Sequence, residues 1–385
     1  MNKFSETALR GLVSSTLAIC PVPFGAIATP ASDSALKTAV DRAAREFFRL
    51  NPQSSGVSIG LYRDGKTYTF NYGATSPGGA KRPTAHTLYP IASITKTFTG
   101  TLLADASLEG KLRLDDDVRK YLDGNYPNLE YEGHIIRVFD LVDHRSGLPF
   151  FIPDLPETRP DFAGTPPLVA RVANIEKSFT RQDFYRQLHD VKLTSIPGDK
   201  AQYSNAAAML AGYIIERVYG EPYEQLVKNK ILAPLGMNST TITLAPAQLG
   251  EAVKGYDGSG ATMPDDVADL QGAGAFRSNV ADMLKYAVWQ IKEADPAVKL
   301  SHQPYAVAGN YAVGLNWQML SAPGKRLIWQ TGNLDGFHSY LVVEPELKIG
   351  LVVLFNETDN KSNPAHGELV NGMLKILNAE AILVP

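Results

Sequence analysis

Apolar and polar positions change period along this chain, and the changes mark its elements. Residues 33–50 carry Ala39, Val40, Ala43 and Phe47-Phe48 on one helical stripe, so the spacing predicts a first helix there. Gly56 to Tyr62 alternates, Arg63-Asp64-Gly65-Lys66 has turn chemistry, and Thr67 to Tyr72 alternates again, which predicts a β-hairpin. After a Gly/Pro/Lys-rich loop over residues 73–84, Ile94, Phe98, Leu102 and Leu103 return to helical spacing, with a mostly small and polar opposite face.

Between about 101 and 265 the pattern reads as helices and long loops with almost no strand signal. It includes a helix ending at His144, a proline-rich loop from Pro149 to Pro167 and a helix over 206–218. A further amphipathic helix is predicted over 279–295. Four strands follow, at Tyr311–Trp317, Arg326–Gln330, Gly336–Val343 and Ile349–Phe355, the last nearly continuously apolar, and a closing helix spans 364–378. Strands at both chain ends with a helical insert predict an α+β fold: one antiparallel sheet flanked by helices, beside an all-α lobe. The expected lobes are 33–100 with 266–385, and 101–265, within one catalytic domain over 29–385.

Composition changes this picture little. Net charge of −3 gives no electrostatic case for nucleic acid or an anionic membrane, and a lone Cys20 excludes an internal disulfide framework. The N-terminus adds an expectation of export. Lys3 and Arg10 precede an apolar stretch over 11–29, Pro21 and Pro23 break it, and Ala26-Ile27-Ala28 is a small-x-small cleavage pattern. Residues 1–28 are therefore expected to be a signal peptide, and the mature chain periplasmic or secreted. No later segment is long and apolar enough to cross a bilayer.

Candidate chemistry lies at three places. Ser93 stands where the second helix should begin, beside orphan N–H groups, and Lys96 shares its helix face at i+3. An amine one turn from a serine can take its proton, so this pair is a candidate nucleophile and base. The same spacing at Ser34 and Lys37, where a linker runs into the first helix, shows that the motif needs partners. Tyr203-Ser204-Asn205 follows the Pro197-Gly198 turn. It supplies a phenol for proton transfer, if nearby cations lower its pKa, and an amide for a substrate carbonyl and the lysine. Thr331-Gly332 follows a strand and precedes Asn333; such an edge lets a peptide-like substrate lie alongside, with a backbone N–H to complete an oxyanion hole with that of Ser93. Asp115-Asp116-Asp117 reads as an acidic helix start rather than a metal site, and His144 and His338 as scaffold.

In that order the three motifs resemble the serine β-lactamase and penicillin-binding-protein superfamily. Ser93-Ile94-Thr95-Lys96-Thr97-Phe98-Thr99-Gly100, Tyr203-Ser204-Asn205, Pro234-Leu235-Gly236-Met237 and Gly336-Phe337-His338-Ser339-Tyr340 are similar to the class C β-lactamase branch. The size and the Arg82-Pro83 to Ser93 stretch are similar to AmpH-type D-alanyl-D-alanine carboxypeptidase/endopeptidases of the periplasm. The resemblance covers about residues 36–380.

It implies a mixed sheet plus an α lobe with the site between. It also implies a serine hydrolase acting on D-alanyl peptides or β-lactams through a Ser93 acyl-enzyme, with Lys96 and Tyr203 sharing the proton work. Asn205, Gln330, Thr331, Gly332 and Asn333 would bind substrate. No metal or cofactor is implied; the expected partner is a small-molecule or peptidoglycan-peptide substrate, with peripheral association with the cell envelope. Gln330 is a departure, because the family usually carries Lys, or His in some branches, before Thr-Gly. An uncharged amide there holds a substrate carboxylate more weakly, by on the order of 1–3 kcal/mol, so a carboxylesterase on the same scaffold is the alternative. A non-catalytic penicillin- or peptidoglycan-binding protein is the other.

Overall fold

The computed structural model describes residues 32–154, 178–193, 195–264, 270–358 and 362–377. The expected signal peptide and most of the proline-rich loop lie outside the described residues. Helix α1 (Asp33–Leu50) opens on Ser32, whose hydroxyl accepts from the N–H of Ala35, and buries Leu36, Val40, Ala44 and Phe47 on one stripe. Strands β1 (Gly56–Arg63) and β2 (Lys66–Gly73) form the expected hairpin. Asp64 and Gly65 both adopt positive φ at its turn, the backbone that a two-residue hairpin loop needs.

Six more strands come from the C-terminal third: β3 (Ala306–Ala308), β4 (Tyr311–Val313), β5 (Gln318–Ala322), β6 (Lys325–Leu334), β7 (Phe337–Glu344) and β8 (Ile349–Phe355). Together they make one antiparallel sheet in the order β2-β1-β8-β7-β6-β5-β4-β3, so the first hairpin pairs with the last strand. Two short strands, β3 and β5, carry no clear alternation in the sequence. The predicted strand over 311–317 ends at Val313, because Asn316 takes a left-handed φ of 63°.

Helices cover both sheet faces, which explains why β8 is apolar throughout. Leu351, Val353 and Phe355 pack with α1 and with α5 (Ser362–Leu377), whereas Val352 and Leu354 join the larger core on the opposite face. That core also holds α2 (Thr95–Leu108), α3 (Asn205–Tyr219) and α4 (Val280–Lys292). Each fully buried Leu, Val or Phe there contributes roughly 1.5–3 kcal/mol. The helix expected to end at His144 is only a 3₁₀ turn over Val138–Leu141, and Asp117 caps another such turn, over Val118–Tyr121. Asp115 and Asp116 bond to Arg113, Lys120 and Tyr121, so the acidic triplet serves its own neighbours. Among the described residues no helix is long and apolar enough to cross a membrane.

Candidate active site

Helix α2 begins two residues later than its sequence predicts. Ser93 sits in a 3₁₀ turn over Ala92–Ile94 that runs directly into α2 at Thr95. Ala92 holds φ 46°, a conformation uncommon for a residue with a Cβ. The turn still places Ser93 and Lys96 on one face, with Lys96 Nζ 2.9 Å from Ser93 Oγ.

The small polar face of α2 does not meet solvent. Thr95, Lys96, Thr97 and Thr99 are all buried, because α3, the Gln271–Gly274 turn and the Pro296–Ser301 helix pack around α2. The threonines use their hydroxyls inside: Thr97 and Thr101 donate to carbonyls of their own turn, and Thr99 donates to the Gly272 carbonyl. Lys96 is fully buried, and burial holds its pKa well below the ordinary lysine value. Its Nζ also donates to Asn205 Oδ1 at 2.7 Å and to the Ala273 carbonyl at 2.6 Å.

Tyr203 and Asn205 arrive from the N-terminal end of α3. Ser204 caps that helix, accepting from the Ala207 N–H and donating to the Pro149 carbonyl. The flanking N–H groups of Gln202 and Asn205 bond to the carbonyls of His144 and Phe150. Tyr203 Oη thereby donates to Ser93 Oγ at 2.6 Å. No nearby cation lowers the Tyr203 pKa. Burial pushes the phenol above its ordinary value, the Ser93 hydrogen bond only partly offsets this, and the group stays protonated.

Strand β6 supplies the opposite wall. Its pairing with β5 stops at Trp329, so residues 331–334 continue with that edge open while the other edge pairs with β7. A Cβ on Gly332 would lie 2.4 Å from the Ile91 carbonyl and 2.9 Å from Ala92 Cβ, so only glycine lets this strand touch the Ser93 turn. Thr331 is half-buried beside it, and Asn333 is exposed, its Oδ1 accepting from Thr358.

Gln330, in contrast, is 1% exposed and turned inward. Its Nε2 donates to the Asn316 carbonyl at 2.8 Å, and its Oε1 accepts from the Thr331 N–H at 3.0 Å. In this arrangement the Gln330 amide bonds within the protein rather than facing the open edge of β6. Arg326 does not replace the missing cation, because Glu293 and Glu346 hold it.

Sequence reasoning missed Asn316 and Ala273. Asn316 Nδ2 donates to the Lys96 carbonyl at 2.9 Å and its carbonyl receives Gln330, so it joins β6 to the nucleophile helix. A Gly314-Leu315-Asn316 run inside a supposed strand was the available signal. The Ala273 contact is made by a backbone carbonyl and leaves no trace in residue type.

Known proteins resemble this chain over most of its length. The beta-lactamase family profile matches residues 39–371. The chain belongs to the beta-lactamase family. Among its relatives is an Escherichia coli K12 beta-lactamase, 26% identical over 84% of this chain and 88% of that protein. Another is the E. coli K12 D-alanyl-D-alanine-carboxypeptidase/endopeptidase AmpH, 28% identical over 82% of each. A beta-lactamase/D-alanine carboxypeptidase from Yersinia pestis has a similar solved structure, with TM-score 0.74, 27% identity and coverage of 90% of this chain and 100% of that one. The antiparallel sheet with flanking helices is the fold of this beta-lactamase family member, and the chain is a serine hydrolase of the beta-lactamase and carboxypeptidase kind.

Proposed function

We propose that this chain is an exported serine hydrolase that forms an acyl-enzyme through Ser93, on D-alanyl peptides of peptidoglycan or on β-lactams. The observation that carries this reading is the position of Ser93 Oγ, 2.9 Å from Lys96 Nζ and 2.6 Å from Tyr203 Oη. A neutral amine has two N–H groups and one lone pair. Asn205 Oδ1 and the Ala273 carbonyl can only accept, so they take the two N–H groups and the lone pair is left for the serine proton. Burial favours that neutral form by lowering the pKa of the amine.

In acylation, Ser93 Oγ bonds to the substrate carbonyl carbon while its proton passes to Lys96. The tetrahedral oxyanion is held by the N–H groups of Ser93 and Asn333. The bond to the leaving amine breaks as the proton is delivered to it through Tyr203. Water then attacks the acyl carbon, and the free acid and Ser93 are regenerated. Asn205 retains its Nδ2 for the substrate carbonyl, and the open edge of β6 at Thr331 and Gly332 supports an extended substrate. The pattern in residues 1–28 supports export, to a periplasmic or secreted location at the cell envelope where such peptides lie.

One observation favours a second reading. Gln330 is uncharged and bonded within the protein, which disfavours donors that need a carboxylate clamp and favours a carboxylesterase. Turnover of a chromogenic cephalosporin, a peptide ending in D-Ala-D-Ala and p-nitrophenyl butyrate separates the two. The leading reading expects hydrolysis of at least one of the first two; hydrolysis of the ester alone would replace it with the esterase.

A further inference from the structure

The wall behind Tyr203 contains a residue with no role in the chemistry above. His144 is 2% exposed, and among the described residues neither ring nitrogen has a hydrogen-bond partner. Its ring centroid lies 4.7 Å from that of Tyr203 at a 42° tilt, while Phe150 stands 6.0 Å from the same phenol. Lys96 Nζ approaches that phenol ring too, at 4.9 Å from its centroid. The His144 carbonyl accepts from the Gln202 N–H at 2.6 Å, so main chain and ring together hold the segment that carries Tyr203.

His144 is itself rigidly placed. The Asn316 N–H donates to the carbonyl of Val142, two residues before His144, and Arg145 is tied to Asp143, the Gly198 carbonyl and the Tyr305 carbonyl. Its backbone takes φ 66°, a left-handed position that histidine and asparagine tolerate better than branched or bulky residues. Burial beside Lys96 keeps the imidazole neutral.

We propose that His144 is a positioning residue for Tyr203: its ring acts as an uncharged wall that fixes the phenol oxygen on Ser93, and not as a hydrogen-bonding or proton-transfer group. The packing of the two rings, with centroids 4.7 Å apart, carries this assignment. The inference rests on the Ser93 acyl-enzyme reading.

The test uses His144→Asn, which suits the left-handed backbone but removes the ring, and His144→Phe, which restores a ring. Both are assayed with whichever chromogenic cephalosporin or p-nitrophenyl ester the native protein hydrolyses, with thermal melts as the check on folding. His144→Asn is expected to lose on the order of 10- to 100-fold in kcat, with KM within about threefold, because a misplaced catalytic group costs rate rather than binding. His144→Phe is expected to recover most of that loss. In a Tyr203→Phe background, His144→Asn should cost less than about threefold, because the group it positions is gone. An equal loss in both backgrounds, or a His144→Phe variant as slow as His144→Asn in folded protein, would overturn the proposal. A native protein whose turnover survives Ser93→Ala would overturn the acyl-enzyme reading, and this inference with it.

Discussion

Lys96→Met is expected to lower acylation by roughly 10²- to 10⁴-fold, the usual contribution of a positioned general base, in a protein that still folds. Methionine matches the lysine stem in volume, so the packing around α2 survives. What is lost is a buried amine, with its bonds to Asn205 and Ala273, in a place where burial penalises charge. The loss of those bonds and the relief of desolvation oppose each other, and their balance moves with pH.

The pH dependence of stability has a definite sign. An unfolded lysine keeps its proton to about pH 10.4, whereas burial lowers the native value of Lys96. Between those two pKa values the unfolded chain binds more protons, so this residue makes stability rise with pH and fall as pH drops. Lys96→Met removes that contribution. The stability of the variant relative to the native protein should therefore be greatest at the acid end and shrink as pH rises toward 10, as melting curves across pH will show. An active Lys96→Met variant would remove the lysine from the chemistry.

Tyr203→Phe should cost about 10²-fold or more in kcat with little change in stability, since only the Oη donor to Ser93 is deleted and the ring keeps its place between His144 and Phe150. The phenol is held above its ordinary pKa of about 10 by burial. The native enzyme should consequently show no alkaline loss of activity attributable to Tyr203 below that pH. A limb between pH 7 and 9 that disappears in Tyr203→Phe would mean that the phenolate, rather than the phenol, is the working form.

Much of this arrangement can be read from residue order, and the exceptions have physical causes. The β1–β2 hairpin, the apolar run of β8 and the helices α1, α3 and α4 follow from period and turn chemistry. Ser93, Lys96, Tyr203 and Asn205 share one hydrogen-bonded cluster, although 109 residues separate Lys96 from Asn205. Burial of the whole circumference of α2 was not legible, because Thr97, Thr99 and Thr101 look like a solvated face until their hydroxyls are seen bonded inside. The cause of the raised Tyr203 pKa also escaped, since it is desolvation rather than neighbouring charge. Gln330 was visible as a departure from the family, but its inward commitment to Asn316 depends on a left-handed residue 14 positions away. Short strands such as β3 and β5 are set by the sheet they complete, more than by their own pattern.

The central claim is that Ser93 becomes covalently acylated, and intact-protein mass spectrometry after incubation with a fluorescent penicillin tests it most directly. The account predicts a mass increase of one penicillin on the native chain, mapped by digestion to the peptide containing Ser93, and none on Ser93→Ala. An adduct that persists in Ser93→Ala or maps elsewhere would contradict it. So would a native chain that forms no adduct and hydrolyses no cephalosporin, D-alanyl peptide or ester.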